Sequence, residues 1–164
     1  TNCLLNKDSS CVPVWFMRQA GRYLPEFREI RLQNKNFIEL CLNSNLSSNI
    51  TLQPLKRFNL DAAIIFSDIL IVPYTLGQDV VFVKDKGPRL SLFNINYFSN
   101  NDEDKFIQKL HPVYEAIKIT RDNLDKNKSL ISFKSAPSAN NLTFKDFSSG
   151  LTLFSSHNFY CFSQ

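Results

Sequence analysis

The chain is organised around residues 13–31, which read PVWFMRQAGRYLPEFREIR. This stretch opens with an apolar run from Val14 to Met17 and turns abruptly to charge at Arg18. Such a run predicts a buried strand whose C-terminal end reaches a polar site. Arg18 and Arg22 stand four residues apart, and each guanidinium is a planar fork that fits a carboxylate. The stretch therefore predicts a site for an anionic ligand at the end of a strand.

A second apolar run has the same form. Residues 61–66 read DAAIIF, a composition typical of a strand that is covered on both faces of a parallel sheet. The run ends at Ser67 and Asp68, and residues 130–133 provide a third strand candidate. Two successive strands that each end in a charged residue favour the (β/α) barrel, whose sites lie at the C-terminal face of its strands.

Composition narrows the class of protein. The chain has 164 residues, which suits one domain, and its net charge of +4 fits either an acidic ligand or an ordinary solvated surface. It has no block of lysine and arginine interleaved with aromatic residues, so we predict no nucleic-acid partner. No apolar stretch approaches the ~20 residues that span a bilayer, so we predict no membrane partner. We expect a cytoplasmic protein, or an organellar one if a leader preceded Thr1.

Four cysteines are present, and none of them has the spacing of a zinc site. They are Cys3, Cys11, Cys41 and Cys161. His157 lies four residues from Cys161, but no third ligand is close in sequence. We therefore predict reduced thiols in an intracellular protein and no metal centre.

Two segments carry a resemblance to a known family. Residues 17–29, MRQAGRYLPEFRE, closely resemble the N-terminal signature of the uroporphyrinogen decarboxylases. Residues 51–77, TLQPLKRFNLDAAIIFSDILIVPYTLG, resemble the next part of that family in the same order, and residues 130–137 resemble its third barrel strand. The resemblance implies an α/β fold, a partial (β/α)8 TIM barrel with the first three βα units only. We expect residues 1–137 to form this part, and residues 138–164 to be an unmatched, irregular tail.

The resemblance also implies a function. Uroporphyrinogen decarboxylases are carboxy-lyases of haem biosynthesis that convert the four acetate arms of uroporphyrinogen III to methyl groups, giving coproporphyrinogen III, without cofactor or metal. By resemblance, Asp68 is catalytic and collects the pyrrole N–H groups of the substrate. The substrate-binding residues implied in the same way are Arg18, Gln19, Ala20, Gly21, Arg22, Arg31 and Asp68.

Several single residues also have a purely structural interpretation. Arg31 also suits a solvated helix position, and Asp68 also suits a helix N-cap. Asp61 suits the start of a strand. We expect Trp15, Phe16 and Met17 to pack in the core.

Two other classes of protein compete with the decarboxylase hypothesis. The corrinoid or zinc-dependent methyltransferases would show a His-x-Cys motif and would lack RQAGRY, so the sequence argues against them. A truncated homologue or interaction fragment without catalysis is the second alternative, and the presence of Arg18, Arg22 and Asp68 argues against a lost site. With three of eight barrel strands, we expect the isolated chain to be a poor enzyme, and we do not extend the family's homodimer to it.

Periodicity and turn residues predict the remaining elements. We expect helices over residues 26–33 and 36–42, and a third one capped by Ser47 or Ser48 that runs to Phe58 with an interruption at Pro54. A short strand is expected at residues 80–83, followed by a turn at residues 86–88. Two separate helices are expected over residues 103–110 and 112–126, divided at Pro112.

Overall fold

The computed structural model describes residues 12–83, 87–92, 103–137, 147–154 and 159–162. Its helices, in chain order, are α1 (Pro25–Gln33), α2 (Phe37–Cys41), α3 (Ser44–Arg57), α4 (Ile71–Thr75) and α5 (Glu103–Asn123). Its strands are β1 (Ala62–Ile64), β2 (Val80–Val83), β3 (Gly87–Leu90), β4 (Ser129–Pro137), β5 (Phe147–Phe154) and β6 (Phe159–Phe162). The chain is thus of the α/β class, as the sequence predicted.

The larger sheet has the order β1-β4-β5-β6. Strands β1 and β4 are parallel, with Ala62 opposite Ser129 and Ile64 opposite Ile131. This pair confirms the two predicted strands at residues 61–66 and 130–133 and their parallel arrangement. The pairs β4–β5 and β5–β6 are antiparallel, so the sheet is mixed.

Strands β2 and β3 form a separate antiparallel hairpin, with Val80 opposite Leu90 and Val83 opposite Gly87. The predicted strand at residues 80–83 is confirmed. Gly87 has a φ of 75°, in the left-handed region that a glycine adopts without strain, and it begins β3. The predicted turn was wrong for Gly87 and Pro88, which are the first residues of β3, and Lys86 lies outside the described residues.

The core is formed where α3 and α5 cover β1 and β4. Ala63 and Leu130 are buried together with Leu124, and Ile117 of α5 packs against them. A second buried cluster lies between α1, α2 and α3, and includes Ile50. This arrangement leaves the ends of β1 free to carry loops.

Two prolines lie inside helices, although both were expected to interrupt them. Helix α3 continues past Pro54 to Arg57, and α5 continues through Pro112 as one helix. The expected division at Pro112 was therefore wrong. The lost backbone hydrogen bond is outweighed because α5 packs on both sides of the proline, through Leu110 and Val113.

Asparagine side chains cap the two helices that follow α1. Asn36 Oδ1 accepts from the backbone N–H of Ile38, and Asn43 Oδ1 accepts from that of Leu46. The predicted cap at Ser47 or Ser48 was wrong, since α3 begins one residue after Asn43. Ser47 lies buried inside α3, where its hydroxyl serves another purpose described below.

The apolar run at residues 14–17 is not a regular strand. Phe16 is 62% exposed and Met17 is 58% exposed, so the expectation that both pack in the core was wrong. Trp15 is half-buried against the cluster that includes Ala62 and Ile131, which confirms part of the expectation for that residue. An apolar run indicates burial only where a neighbouring surface covers it, and the described residues cover one side of this run.

Residues 147–154 and 159–162 are strands, so the expectation of irregular structure was wrong for these residues. Strand β5 pairs with β4 from Leu130 to Pro137, which is all of β4 except Ser129. The division of the chain at residue 137 stays a prediction.

Candidate functional site

The two predicted arginines lie in an irregular loop, residues 14–22, which we call the arginine loop. This loop lies beside the start of β1. The Val14 N–H donates to Asp61 Oδ2 at 2.7 Å, and the Asp61 N–H donates to the Val14 carbonyl at 2.9 Å. The predicted strand at this place is thus replaced by a short contact with the residue that precedes β1.

Gln19 holds the middle of the arginine loop. Its side chain is buried, with an exposure of 4%. Its Nε2 donates to the Ala62 carbonyl at 3.0 Å, and its Oε1 accepts from the Phe16 N–H at 3.1 Å. The Gln19 carbonyl accepts from the Tyr23 hydroxyl. Gln19 therefore uses both ends of its amide inside the protein.

Arg18 and Arg22 are exposed on either side of the buried Gln19. Within the part of the chain that the structure describes, neither guanidinium has a hydrogen-bonding or ion-pair partner. The Arg22 carbonyl accepts from Arg28 Nη1 at 2.9 Å, which fixes the backbone at the end of the loop. Two unpaired guanidiniums on an anchored backbone can bind carboxylates without first breaking an internal contact.

Ala20 and Gly21 link the arginine loop to α1. Ala20 packs against the buried cluster that includes Leu24, and the Gly21 carbonyl accepts from the Leu24 N–H at 3.0 Å. A Cβ added at Gly21 would meet the Tyr23 ring at 3.6 Å, an ordinary contact distance. Local packing therefore does not demand glycine here, and the predicted close approach of this backbone to a ligand stays a prediction.

Arg31 closes the C-terminal end of α1. Its Nη1 donates to the carbonyls of Asn34 at 2.8 Å and Lys35 at 3.4 Å. Its Cζ lies 5.5 Å from the centre of the Phe37 ring, within the range of a cation–π interaction. These contacts account for the position of Arg31 structurally. Its predicted role in substrate binding stays a prediction.

Asp68 lies in the loop beyond the C-terminal end of β1. Its Oδ1 accepts from the Leu70 N–H at 2.9 Å, and its carbonyl accepts from the Ile71 N–H at 3.1 Å. The carboxylate thus stabilises the turn before α4, whose N-cap residue is Leu70. Its Oδ2 has no hydrogen bond to any described residue, so the half-buried carboxylate keeps one oxygen for another donor.

Two hydroxyl groups of α3 fix the backbone just before Asp68. Ser47 Oγ donates to the Phe66 carbonyl at 2.5 Å, and Thr51 Oγ1 accepts from the Phe66 N–H at 2.8 Å. Ser47 and Thr51 are both buried, each with an exposure of 1%. Sequence reasoning missed this clamp, because the sequence does not show that these hydroxyl groups of α3 face the backbone of Phe66.

Arg31 and Asp68 both lie close enough to the buried Cys41 to influence its thiol. Burial, reinforced by the negative charge of Asp68 and opposed by the positive charge of Arg31, raises the pKa of Cys41 to about 12. Cys41 is a free thiol, as predicted. The other three cysteine side chains lie outside the described part. The structure therefore brings two of the predicted site residues to one buried neighbour.

An aromatic cluster fills the space between these groups. The Phe66 ring makes edge contacts with Phe27 at 5.7 Å and Phe37 at 5.9 Å between ring centres. Phe37 in turn contacts Phe82 of β2 at 5.5 Å. The cluster connects the residues around Arg31 with the backbone that leads to Asp68.

Among the described residues, no three His, Cys, Asp or Glu side chains converge in the manner of metal ligands. None of the described helices combines the length and the apolar character needed to cross a membrane.

The fold and site define an α/β protein with two exposed arginines in a loop beside β1 and a half-buried carboxylate in the loop that follows β1. Comparison with known families adds the specific relationship. The family model described as uroporphyrinogen decarboxylase (URO-D) matches residues 1–142, most of the chain. The chain belongs to the uroporphyrinogen decarboxylase family. This match includes residues 138–142, which we had assigned to the tail.

Curated relatives agree with this assignment. The chain is 44% identical to the uroporphyrinogen decarboxylase of Rickettsia felis over 138 residues, which cover 81% of this chain and 38% of that protein. It is 46% identical to the enzyme of that name from Chelativorans sp. over 125 residues, covering 76% of this chain and 36% of that protein. The corresponding protein of Brucella ovis is 43% identical over the same length, with 37% of it covered. The chain thus spans less than two fifths of the length of these relatives.

Proposed function

We propose that this chain carries the N-terminal part of a uroporphyrinogen decarboxylase, which removes carbon dioxide from the four acetate arms of uroporphyrinogen III to give coproporphyrinogen III. The observation that carries the proposal is the presence of Arg18 and Arg22, exposed and unpaired among the described residues, in a loop whose backbone is anchored. Family membership supplies the reaction, and these residues supply the first contacts with a polyanionic substrate.

The arginine loop is suited to hold the carboxylate arms of the substrate. A guanidinium presents two parallel N–H donors to a carboxylate, and such charge-assisted pairs are stronger than neutral hydrogen bonds. Gln19 lies between Arg18 and Arg22 in sequence, and its side chain is buried and hydrogen-bonded. The backbone that carries the two arginines is therefore held in place. In our proposal they bind two carboxylates of one tetrapyrrole.

Asp68 is suited to the chemical step. Loss of carbon dioxide from an acetate arm leaves electrons that need a sink, and protonation of the pyrrole ring provides one without a cofactor. Positive charge then develops on the ring, and a fixed carboxylate beside the pyrrole N–H groups stabilises it. Asp68 has one oxygen engaged with the Leu70 N–H and the other unengaged among the described residues, as this role requires.

The finer architecture belongs to the same proposal. In it, β1 and β4 are neighbouring parallel strands of a partial (β/α)8 TIM barrel. The proposed protein works in the cytoplasm, or in an organelle if a leader directs it there. A homodimer, as in the family, is not part of the proposal for this chain.

The experiment uses two readouts on this chain. Uroporphyrin, the oxidised and fluorescent form of the substrate, is titrated with protein, and fluorescence anisotropy gives the dissociation constant. In parallel, the chain is incubated with uroporphyrinogen without oxygen, and chromatography separates the decarboxylated products. Replacement of Arg18 or Arg22 with alanine should weaken binding by roughly 10- to 150-fold each, since a charge-assisted hydrogen bond contributes roughly 1.5–3 kcal/mol.

Two further variants separate the roles. Arg89→Ala removes an exposed arginine of β3, outside the arginine loop, and should leave the affinity unchanged. Asp68→Asn keeps an acceptor oxygen but loses the negative charge, so it should lower product formation more than affinity. Equal losses of affinity for Arg89→Ala and Arg18→Ala would show binding by net charge alone and would refute the proposed site. Binding without any product would favour the alternative, an interaction fragment without catalysis.

A further inference from the structure

We infer that Gln19 and Asp61 are positioning residues that dock the arginine loop onto the start of β1. Neither side chain needs to touch the substrate for this role. The inference rests on the proposed function in so far as it concerns substrate affinity, while the docking itself is a structural claim about this chain.

Asp61 ties the beginning of the loop to the sheet. Its carboxylate accepts from the Val14 N–H at 2.7 Å and its own N–H donates to the Val14 carbonyl at 2.9 Å, so one residue satisfies both backbone groups of another. The Asp61 carbonyl accepts from the Ser129 N–H at 2.9 Å, which joins the same residue to the first residue of β4. Asp61 thus connects the start of the loop to the sheet, so the sheet fixes the position of the loop.

Gln19 ties the later part of the loop to the next residue of the sheet. Its Nε2 donates to the Ala62 carbonyl at 3.0 Å, while its Oε1 accepts from the Phe16 N–H at 3.1 Å. An amide is the side chain that can donate and accept at its two ends in this way, since a carboxylate only accepts. Because both partners are backbone groups, the interaction positions the chain whatever the neighbouring side chains are.

Few other contacts hold the first part of the loop, residues 14–18, whereas Arg28 also holds the Arg22 carbonyl. The loop has no helix or strand of its own, and Phe16, Met17 and Arg18 are exposed. Trp15 alone in residues 14–17 packs against a buried cluster, which includes Ala62 and Ile131. The position of Arg18 therefore depends strongly on the contacts of Gln19 and Asp61, and that of Arg22 depends on Gln19 together with Arg28.

Trp15 provides a direct measure of docking, because it is the one tryptophan of the chain. The test compares the emission of Trp15 and its quenching by acrylamide in the full chain and in Gln19→Leu and Asp61→Ala. Loss of docking should move the emission to longer wavelength and raise quenching about twofold, as the half-buried indole becomes exposed. Uroporphyrin affinity, measured by anisotropy, should fall about tenfold in the same variants because the backbone that carries the arginines is no longer held in place.

Matched controls separate docking from the mere removal of a buried glutamine or of an aspartate that accepts a backbone N–H. Gln53→Leu removes another buried glutamine, which is 5% exposed and lies in α3, and Asp125→Ala removes another aspartate that accepts a backbone N–H. Both should leave the Trp15 emission and the affinity unchanged. Asp61→Asn keeps an oxygen for the Val14 N–H and should restore most of the wild-type signal. Gln19→Glu keeps the acceptor and loses the donor, so it remains informative if Gln19→Leu fails to fold.

The outcomes separate the two proposals. Unchanged Trp15 emission in folded Gln19→Leu or Gln19→Glu and in Asp61→Ala would overturn the docking role. A shifted emission with unchanged uroporphyrin affinity would overturn the positioning of the arginines. If the wild-type chain does not bind uroporphyrin, the proposed function fails, and a shifted emission in the variants still supports docking.

Discussion

Replacement of Thr51 with valine tests how strongly α3 holds the backbone that leads to Asp68. Thr51 is 1% exposed, and its Oγ1 accepts from the Phe66 N–H at 2.8 Å and donates to the Ser47 carbonyl at 2.8 Å. Valine has nearly the same shape, so the change removes the hydroxyl and little packing. The Phe66 N–H then loses its acceptor.

The expected cost follows from that lost acceptor. An unsatisfied buried donor costs about 1–3 kcal/mol, and Phe66 is half-buried, so we expect a loss of about 1–2 kcal/mol in the free energy of unfolding. For a chain of this size the loss lowers the Tm by roughly 2–8 °C. Unfolding in urea, followed by circular dichroism in the far ultraviolet, measures both the midpoint and the slope.

Thr120→Val is the matched control for Thr51→Val. Thr120 is also a fully buried threonine within a helix, but its hydroxyl donates to the Ala116 carbonyl of the same helix. That carbonyl lies inside α5, where a backbone N–H is its regular partner, so the control should change stability by less than about 0.5 kcal/mol. Equal losses in the two variants would refute the argument that the Thr51 hydroxyl is required by Phe66.

Three further predictions concern single buried groups. The pKa of Cys41 is raised to about 12 in the folded protein, so with rising pH the unfolded chain loses the thiol proton before the folded protein does. The free energy of unfolding should therefore fall between about pH 9 and 11, by up to ~1.4 kcal/mol per pH unit. Urea unfolding of Cys41→Ala across this range should show a shallower decline. Gln53 Oε1 is buried without a hydrogen bond in the described part, so Gln53→Leu should leave stability unchanged or raise it by about 1 kcal/mol, and a lower thermal midpoint would contradict this. Ile50 is fully buried, so Ile50→Ala should cost about 2–5 kcal/mol in chemical denaturation, whereas Leu32→Ala, at a position 78% exposed, should cost less than about 0.5 kcal/mol.

The parallel strands and the first helices could be predicted because local signals and tertiary structure agree there. The run at residues 61–66 is apolar throughout, and the structure buries its strand between two helices and the neighbouring strand β4. Pro25 disfavours helical geometry at the residue before it, and Leu24 is extended with a φ of −83° while α1 begins at Pro25. Such steric rules act over one or two residues, so the sequence alone is sufficient.

Other features depended on contacts between distant residues. Pro112 lies within one continuous helix because both flanking turns of α5 are packed, and no local rule reports that packing. Phe16 and Met17 are exposed because the described neighbours cover only the side of the run that carries Trp15. An apolar side chain favours burial, but it is buried only where another part of the protein provides a surface to cover it.

In the candidate site, too, some residues could be predicted from the sequence and others could not. The sequence identified Arg18, Arg22 and Asp68 through a resemblance, and such motifs select side chains for chemistry. Of the side chains that support them, Asp61 was interpreted only as the start of a strand and Thr51 was assigned no role, since a polar residue that binds a backbone group has no characteristic neighbours in sequence.

The anchoring of both parts of the candidate site through backbone groups has a consequence for mutation. The arginine loop is tied to the Ala62 carbonyl, and the Asp68 loop is tied to the peptide groups of Phe66. Replacing an exposed arginine removes no internal contact, so it should alter affinity without altering stability. Replacing Gln19 or Thr51 leaves a backbone group without its partner, so stability and affinity should fall together. Variants of the two kinds therefore separate contact with a ligand from support of the residues that make it.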